Sequence, residues 1–300
     1  MRIFKRKLYD KLLEWKNNRH GKTAVLIEGA RRVGKSTLTK QFAENEYESY
    51  VMIDFSIVRD DVLELFNHID DLDYFFLQLQ FRLGVSLKER KSLVIFDEVQ
   101  KCPKARQAIK HLVADGRYDY IETGSLISIK KNVKDILIPS EEEKLFLYPM
   151  DYEEFKWALG DNTAIPQLKK LFDKKLSIGD AVTRKLMRDF RIYMVVGGMP
   201  QAVDTYIDTN NLMEVDRVKR NIIQLYEDDF YKIDSSGRLS MLFDAIPAQL
   251  NSNASRYQVA SAIGSNTNSD KILQLISELR ESMTINMAYH ANDPGVGMSL

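Results

Sequence analysis

The stretch Gly29-Ala30-Arg31-Arg32-Val33-Gly34-Lys35-Ser36 decides the fold of this chain of 300 residues. In this pattern the glycines permit a tight backbone path, and successive backbone N–H groups can point at phosphate oxygens. An apolar run at 24–28 precedes the stretch and a helical pattern at 36–44 follows it. A buried strand, a glycine-rich loop and a helix in that order predict a phosphate-binding loop.

Four residues of the loop have an expected role in binding a nucleotide and its metal. We expect Gly29 and Gly34 to shape the loop. Lys35 is expected to reach the β- and γ-phosphates, and the hydroxyl of Ser36 to bind Mg²⁺. The pattern therefore predicts a site for a nucleoside triphosphate with magnesium.

Three further residues flank these positions. Thr37 is expected to add a contact to the α-phosphate. Arg31 and Arg32 occupy variable positions of the pattern, where an arginine can hold phosphates, face a partner or lie in solvent. The sequence does not rank these three alternatives, and we include Arg32 among the candidates for nucleotide binding.

Two carboxylates follow the buried strand pattern at 93–97. Hydrolysis of a nucleoside triphosphate needs one carboxylate to support the metal and a base to orient the attacking water. Asp97 is expected to serve Mg²⁺ and Glu98 to activate the water. Asp54 also ends a strand pattern, but there a structural turn is the favoured interpretation.

The strand pattern at 118–123 ends in small polar residues. In a parallel sheet this end lies beside the nucleotide crevice. We therefore expect Thr123 or Ser125 to sense the γ-phosphate through a hydrogen bond, without a preference between the two. An ordinary turn at Thr123-Gly124-Ser125 is the alternative.

Strand patterns alternate with helical patterns through the first half of the chain. The strands are expected at 24–28, 50–55, 93–97, 118–123 and 144–148. This alternation predicts an α/β fold, namely a P-loop NTPase parallel sheet flanked by helices. We expect this nucleotide-binding core to span residues 1–150.

The pattern changes after Pro149. A capping-box-like start at Asp151 opens a mostly helical region, which predicts a helical lid over residues 151–237. Residues 238–300 follow as helix, polar turn, helix and a strand-like segment at 283–290, which indicates a winged-helix-like segment.

The first 22 residues carry a helical apolar stripe and a net charge of +6. A helix with a solvated basic face is the favoured interpretation. The alternative is a basic surface close to the nucleotide or to nucleic acid.

Composition limits the classes of protein that fit. The counts of basic and acidic residues are both 43, which does not favour a protein dedicated to coating nucleic acid. A single cysteine, Cys102, excludes an intrachain disulfide and suits a reducing compartment. No stretch has the apolar length of a signal peptide or a membrane helix, so we expect a cytoplasmic protein without a membrane partner.

Five motifs occur in order along the chain: the loop at 29–36, Phe-Asp-Glu-Val-Gln at 96–100, Thr-Gly-Ser at 123–125, Leu-Tyr-Pro-Met-Asp-Tyr-Glu-Glu-Phe at 147–155 and Gly-Gly-Met-Pro at 197–200. Together they resemble the prokaryotic AAA-type ATPases that carry a C-terminal domain of unknown function. The resemblance implies an AAA+ core, a helical lid, a winged-helix segment and turnover of ATP. It also implies that residues 238–300 begin a C-terminal domain that is truncated here.

One departure from the family concerns arginine. Relatives often have a Gly-Arg pair before the Leu-Tyr-Pro segment, whereas this chain reads Ile138-Pro139-Ser140-Glu141. An arginine that stabilises the transferred phosphoryl group is worth roughly 10³–10⁵ in rate. Arg106, Arg117 or an arginine supplied in trans by a homo-oligomer are the open alternatives.

The winged-helix-like segment invites a DNA-binding interpretation. Residues 238–300 carry four basic and five acidic residues, a net charge of −1. Phosphate contacts supply most non-specific affinity for DNA, and this segment lacks the basic surplus that they need. A protein contact or a lid role is therefore favoured over DNA binding.

Two other functions compete with an ATPase. A nucleotide-dependent switch would bind ATP or ADP with negligible turnover, but a pure switch does not need Glu98. A small-molecule P-loop kinase usually closes an arginine-rich lid over its substrates. The region 151–250 contains arginines but no short lid pattern of that kind.

Overall fold

Five parallel strands form one sheet in the computed structural model, which describes residues 2–124, 141–252, 256–264 and 268–288. The strands are β1 (Ala24–Glu28), β2 (Ser49–Asp54), β3 (Ser92–Asp97), β4 (Asp119–Gly124) and β5 (Glu142–Phe146). Their order in the sheet is β2-β3-β4-β1-β5, and every neighbouring pair is parallel. The α/β fold with a parallel sheet is thus confirmed, and β1 lies inside the sheet between β4 and β5.

The helices of the first half flank this sheet. They are α1 (Lys7–Arg19), α2 (Lys35–Glu46), α3 (Asp60–Leu65), α4 (Leu72–Leu83) and α5 (Pro103–Asp115). All residues of β1, β3 and β4 are buried, as expected for parallel strands that are covered on both faces. Phe66 packs edge-to-face against Phe75 and Phe96, which joins the α3–α4 region to β3.

A helical region follows the sheet. It contains α6 (Tyr152–Ala158), α7 (Ala164–Asp173), α8 (Asp180–Val196), α9 (Pro200–Thr209) and α10 (Leu212–Ile233). The capping box at Asp151 is confirmed, because Asp151 accepts from the Glu154 backbone and Glu154 accepts from the Asp151 backbone. The turn expected at Gly197–Pro200 separates α8 from α9.

The chain divides into two compact units, residues 1–225 and 226–300. The second unit contains α11 (Arg238–Asn251), α12 (Val259–Ile263) and α13 (Ser269–Glu281). Its buried residues include Phe230, Leu239, Leu242, Leu275 and Leu279. Among the described residues, no helix is both long and apolar enough to cross a membrane.

The wing of the winged-helix-like segment was expected at residues 283–290. Residues 283–288 form no strand, and 289–290 lie outside the described residues. The two helices that precede them are present as expected, and the wing stays a prediction.

Candidate nucleotide site

The loop 29–34 joins the carboxyl end of β1 to the start of α2. Its backbone turns through two left-handed positions, Arg32 with φ of 69° and Gly34 with φ of 96°. Gly29 is needed for a different reason, because a Cβ there would lie 2.3 Å from the carbonyl oxygen of Leu147. Gly29 therefore allows the backbone at Leu147 to approach closely, and Gly34 allows a left-handed backbone conformation.

Lys35 lies inside the loop and is buried. Its Nζ donates to the carbonyl oxygens of Gly29 at 2.9 Å and Ala30 at 3.1 Å. Burial lowers the pKa of the Lys35 ammonium, and the nearby carboxylates of Glu98 and Asp97 oppose that shift. The ammonium of Lys35 is thus largely removed from water, and an electrostatic attraction to a phosphate is stronger in such an environment.

Ser36 and Asp97 are joined by a hydrogen bond, in which Ser36 Oγ donates to Asp97 Oδ1 over 2.9 Å. Thr123 Oγ1 also donates to Asp97 Oδ1. Asp97 is 3% exposed and Thr123 is fully buried. Hydroxyl and carboxylate oxygens in this arrangement are the ligands that Mg²⁺ prefers.

Glu98 follows Asp97 in a left-handed conformation, with φ of 55°. Its backbone N–H donates to Thr123 Oγ1 at 3.3 Å, and its side chain accepts from Gln100 Nε2 at 2.5 Å. An unfavourable conformation of a non-glycine residue persists only where surrounding contacts over-determine it. Here Thr123 and Gln100 supply those contacts.

Thr123 has a different set of partners from those expected of a γ-phosphate sensor. Its hydroxyl contacts Asp97 and the Glu98 backbone, so in this structure it positions the two carboxylates. Sensing by Thr123 stays a prediction. Ser125, the other candidate, lies outside the described residues.

A cavity of about 480 Å³ opens beside these groups. The loop and α2 line it with Arg31, Arg32, Gly34, Lys35, Ser36 and Thr37, and Glu98 lines it from the position directly after β3. Asp54, Ser56 and Gln201 complete the lining. The structure therefore brings Glu98 and the predicted loop residues other than Gly29 to one cavity.

Three residues were not predicted to line the cavity, namely Asp54, Ser56 and Gln201. Asp54 accepts from the backbone N–H and the hydroxyl of Ser56, which confirms the expected structural turn. The same turn forms part of the cavity wall. Gln201 comes from α9 of the helical region, and no local sequence signal marks it as a neighbour of the loop.

The motif segments at 147–150 and 197–200 meet beside the loop. Leu147 N–H donates to the Glu28 carbonyl at 2.8 Å, and Met150 N–H donates to the Gly198 carbonyl at 2.7 Å. A Cβ at Gly198 would lie 2.1 Å from the carbonyl oxygen of Met150. The segment 147–150 thus links the loop at Gly29 to the start of α9.

Arg6 is a buried contact of the loop that sequence reasoning missed. Its Nη1 donates to the Val33 carbonyl at 2.9 Å, and its Nη2 donates to the Tyr148 carbonyl at 2.5 Å. Its Nε lies 3.2 Å from Glu154 Oε1 on α6.

The favoured interpretation of the basic N-terminal segment is confirmed, because α1 buries Leu8, Leu12 and Trp15 and exposes Lys11 and Arg19. Arg6 precedes this helix and is buried, so it is a contact of the loop and not part of an exposed basic surface.

Arg106 and Arg117 are the two candidates within this chain for the arginine that stabilises the transferred phosphoryl group. Neither is placed to reach the phosphate-binding loop of its own chain. Arg106 is 1% exposed and pairs with Glu122 and Glu142 on the sheet. Arg117 precedes β4 and so lies at the opposite end of the parallel sheet from the loop, where it pairs with Asp73 and Asp115. The expectation that Arg106 or Arg117 supplies the catalytic arginine within its own chain is therefore wrong.

The fold and the site together define a P-loop nucleotide-binding protein. Residues 21–156 match the family model described as an AAA domain, and residues 187–299 match one described as a domain of unknown function, DUF8612. The chain therefore carries an AAA domain followed by a domain of unknown function, which confirms the resemblance to the AAA-type ATPases. This family supports nucleotide binding and hydrolysis in general.

A solved structure has the same fold. The Walker-type ATPase PABY2304 of Pyrococcus abyssi is 16% identical with a TM-score of 0.56, over 93% of this chain and 90% of that one. The AMPPCP-bound DnaA of Aquifex aeolicus is 12% identical with a TM-score of 0.39, over 92% and 88% of the two chains. The second score is too low to support an inference. No curated protein matches the chain in sequence.

Proposed function

We propose that this chain binds ATP with Mg²⁺ and hydrolyses it, and that hydrolysis moves the modules that follow the α/β core. The observation that carries the proposal is the 2.9 Å hydrogen bond from Ser36 Oγ to Asp97 Oδ1 beside the cavity that Glu98 lines. A hydroxyl, a carboxylate and a second carboxylate at the phosphate-binding loop are the groups that metal-assisted hydrolysis requires.

The binding roles follow from the loop. Gly29, Gly34 and Arg32 give the backbone the path that lets its N–H groups face phosphate oxygens. Lys35 exchanges its two carbonyl acceptors for the β- and γ-phosphates, which its low solvation favours. Thr37, which lines the cavity one residue after Ser36, contacts the α-phosphate.

The metal would be held by Ser36 and Asp97, whose oxygens already lie together. When bound, Mg²⁺ neutralises charge that develops on the phosphate oxygens. Glu98 accepts a hydrogen bond from the attacking water and orients it. Thr123 keeps both carboxylates in place, and we propose that it or Ser125 registers the γ-phosphate.

Coupling to the helical lid, proposed as residues 151–237, rests on contacts of this unit. Arg6 joins the loop at Val33 to Glu154 on α6. Gln201 lines the cavity from α9. A change in the loop on hydrolysis would therefore reach two helices of the lid, and through the chain the segment 238–300.

Two further parts of the proposal concern assembly and location. Because Arg106 and Arg117 are engaged elsewhere in the chain, we propose that a homo-oligomer supplies the catalytic arginine in trans. The single cysteine supports a cytoplasmic location.

One observation favours a nucleotide-dependent switch with negligible turnover. Gln100 Nε2 donates to Glu98 Oε2 at 2.5 Å, so the proposed base is engaged by its own loop. A base that stays in this hydrogen bond after ATP binds would leave the water unactivated.

Phosphate release from ATP without any added acceptor tests the proposal. We expect release that requires Mg²⁺ and stops when the metal is chelated. Tight ATP binding in Mg²⁺ without phosphate release at any protein concentration would instead support the switch. Phosphate transfer only to an added acceptor would support a kinase.

A further inference from the structure

The outward face of α8 carries basic and apolar side chains in alternation. Arg184, Met187, Arg191 and Met194 are spaced by three, four and three residues, so they form one ridge along the helix. Met187 is 46% exposed, Met194 is 60% exposed, and both arginines are exposed. Arg188 lies beside this ridge and is exposed as well. We call these five residues the arginine–methionine face.

The opposite face of α8 packs against its own unit. Tyr193 Oη donates to the Met150 carbonyl at 2.9 Å, and Tyr152 Oη donates to the Leu186 carbonyl at 3.2 Å. Val196 on the same side is buried. The helix is therefore held by one face, and the arginine–methionine face is left in contact with solvent.

The positive charge of the arginine–methionine face has little compensation within the chain. Asp189 is the only acidic residue of α8 beyond its first position, and it lies on the opposite face, where it pairs with Lys156 at 2.9 Å. Within the described part of the chain, Arg184 and Arg191 form no ion pair, and Arg188 lies 3.5 Å from Asp189. The face therefore presents a positive potential to solvent.

The helix that precedes α8 is also poorly covered. No residue of α7 is buried. Ile165, Leu168 and Phe172 are spaced by three and four residues and share one face, and Phe172 is 80% exposed. Two exposed lysines at 174–175 and Leu176, which is 57% exposed, follow this helix. Exposed apolar and basic side chains thus continue along the chain on the N-terminal side of α8.

A lipid surface and a polynucleotide both carry phosphates that could accept from these arginines. A polynucleotide would set its charged backbone against the exposed methionines. An anionic lipid surface satisfies both kinds of side chain, because its headgroup phosphates accept from guanidinium groups and its acyl boundary receives apolar side chains. Arginine side chains can lay their apolar stems beside the methionines and keep their charged ends at the level of the headgroups. Charge and apolar exposure on one helix face therefore favour a lipid surface.

We propose that the arginine–methionine face docks this protein on an anionic lipid surface, with α8 lying in the plane of the interface. Such a contact departs from the expectation of no membrane partner, which concerned segments long enough to be a signal peptide or a membrane helix. A helix that lies in the interface needs neither. The contact does not depend on ATP hydrolysis, because charge and exposure alone carry it.

Flotation of the full chain with lipid vesicles, without nucleotide, tests the contact. The vesicles contain phosphatidylcholine with roughly 30% phosphatidylglycerol, and vesicles of phosphatidylcholine alone are the neutral comparison. We expect binding to the anionic vesicles to be at least about tenfold stronger than to the neutral ones, and to weaken by about tenfold between roughly 50 mM and 500 mM salt. No binding to the anionic vesicles at the lower salt concentration, or equal binding to both kinds of vesicle, overturns the proposal.

Two variants separate the charged from the apolar side chains of the face. R184E/R188E/R191E should weaken binding to the anionic vesicles by about a hundredfold or more, since each basic residue near an anionic surface contributes a factor of about five. M187S/M194S keeps every charge and should weaken binding by about tenfold, because two apolar side chains no longer enter the lipid boundary. Unchanged binding by either variant overturns the proposal.

Matched controls carry the same kinds of change elsewhere on the surface. K11E/K22E/K110E reverses three exposed lysines outside α8. M213S/M241S removes methionines that are 81% and 50% exposed. Both controls should bind the anionic vesicles like the wild type. Losses equal to those of the variants on α8 overturn the proposal, because total charge or apolar composition would then explain them.

A fluorescent single-stranded oligonucleotide is titrated in parallel. We expect the wild type to bind the anionic vesicles and to bind the oligonucleotide more weakly, since nucleotides offer the methionines no apolar boundary. A wild type that binds the oligonucleotide but not the vesicles would contradict this expectation. Loss of that binding in R184E/R188E/R191E but not in M187S/M194S would assign the face to nucleic acid and overturn the lipid contact.

Discussion

Ser36 Oγ and Asp97 Oδ1 lie 2.9 Å apart beside the cavity that Ser36 lines, although the two residues are 61 positions apart in the chain. Ser36 lies in the first turn of α2, and Asp97 ends β3. The pair forms because α2 starts at the carboxyl end of β1, the same edge of the parallel sheet at which β3 ends. The hydroxyl and the carboxylate are the two groups to which we assign Mg²⁺ in the proposed function.

Replacing Ser36 with alanine removes one oxygen of this pair. We expect turnover with Mg²⁺ to fall by about a hundredfold, equivalent to about 3 kcal/mol of lost charge stabilisation. The measurement is phosphate release over a Mg²⁺ titration. Ser49→Ala removes a hydroxyl from the opposite end of β2 and serves as the control; equal losses in both variants would contradict the metal role.

Gln100 is expected to restrain Glu98. Gln100 is buried, so Gln100→Leu keeps its approximate volume while it removes the amide that donates to Glu98. If this hydrogen bond restrains the base, turnover should rise by about threefold to tenfold, the kinetic equivalent of about 1 kcal/mol. Gln107→Leu, at an exposed position of α5, is the control. A fall in turnover would show instead that Gln100 positions the base.

Much of this site could be predicted from sequence because its signals are local. The loop at 29–36 and the carboxylates that end β3 are consecutive residues, and parallel strands bring their carboxyl ends to one edge. Arg6 and Gln201 could not be predicted, since only tertiary packing places them near the loop. The close approach of Leu147 to Gly29 likewise depends on the pairing of β1 with β5.

Arg6 should stabilise the fold through its three buried contacts. Arg6→Ala leaves Glu154, which is 5% exposed, without its cation, and we expect a loss of about 3–5 kcal/mol in the free energy of unfolding. Arg2 pairs with Asp204 at the surface, so Arg2→Ala should cost only about 0–1 kcal/mol. Urea unfolding compares the two variants, and equal losses would contradict the assignment.

Glu122 should make stability depend on pH. Burial, and after it the hydrogen bond and charge of Glu142, raise the pKa of the Glu122 carboxyl well above 4.5, although Arg106 opposes the shift. The folded state then holds a proton that the unfolded state releases, so this contribution to stability is lost as pH rises above about 4.5.

The variant Glu122→Gln isolates this effect. The amide of this variant does not titrate. The free energy of unfolding of the variant should therefore fall less than that of the wild type as pH rises towards neutrality. Denaturant unfolding at several pH values measures the difference, with Glu89→Gln at an exposed carboxylate as the control. Parallel curves for Glu122→Gln and the wild type would contradict the raised pKa.

The most direct measurement of the central claim compares ATP binding and phosphate release in the wild type and Glu98→Gln over a range of protein concentrations. We predict that Glu98→Gln binds ATP with an affinity within about threefold of the wild type and releases phosphate at least about a hundredfold more slowly, since it lacks only the base. The wild-type rate per subunit should rise with concentration if an arginine comes from a second copy. Equal rates in the two proteins, or no phosphate release by the wild type at any concentration, would contradict the account.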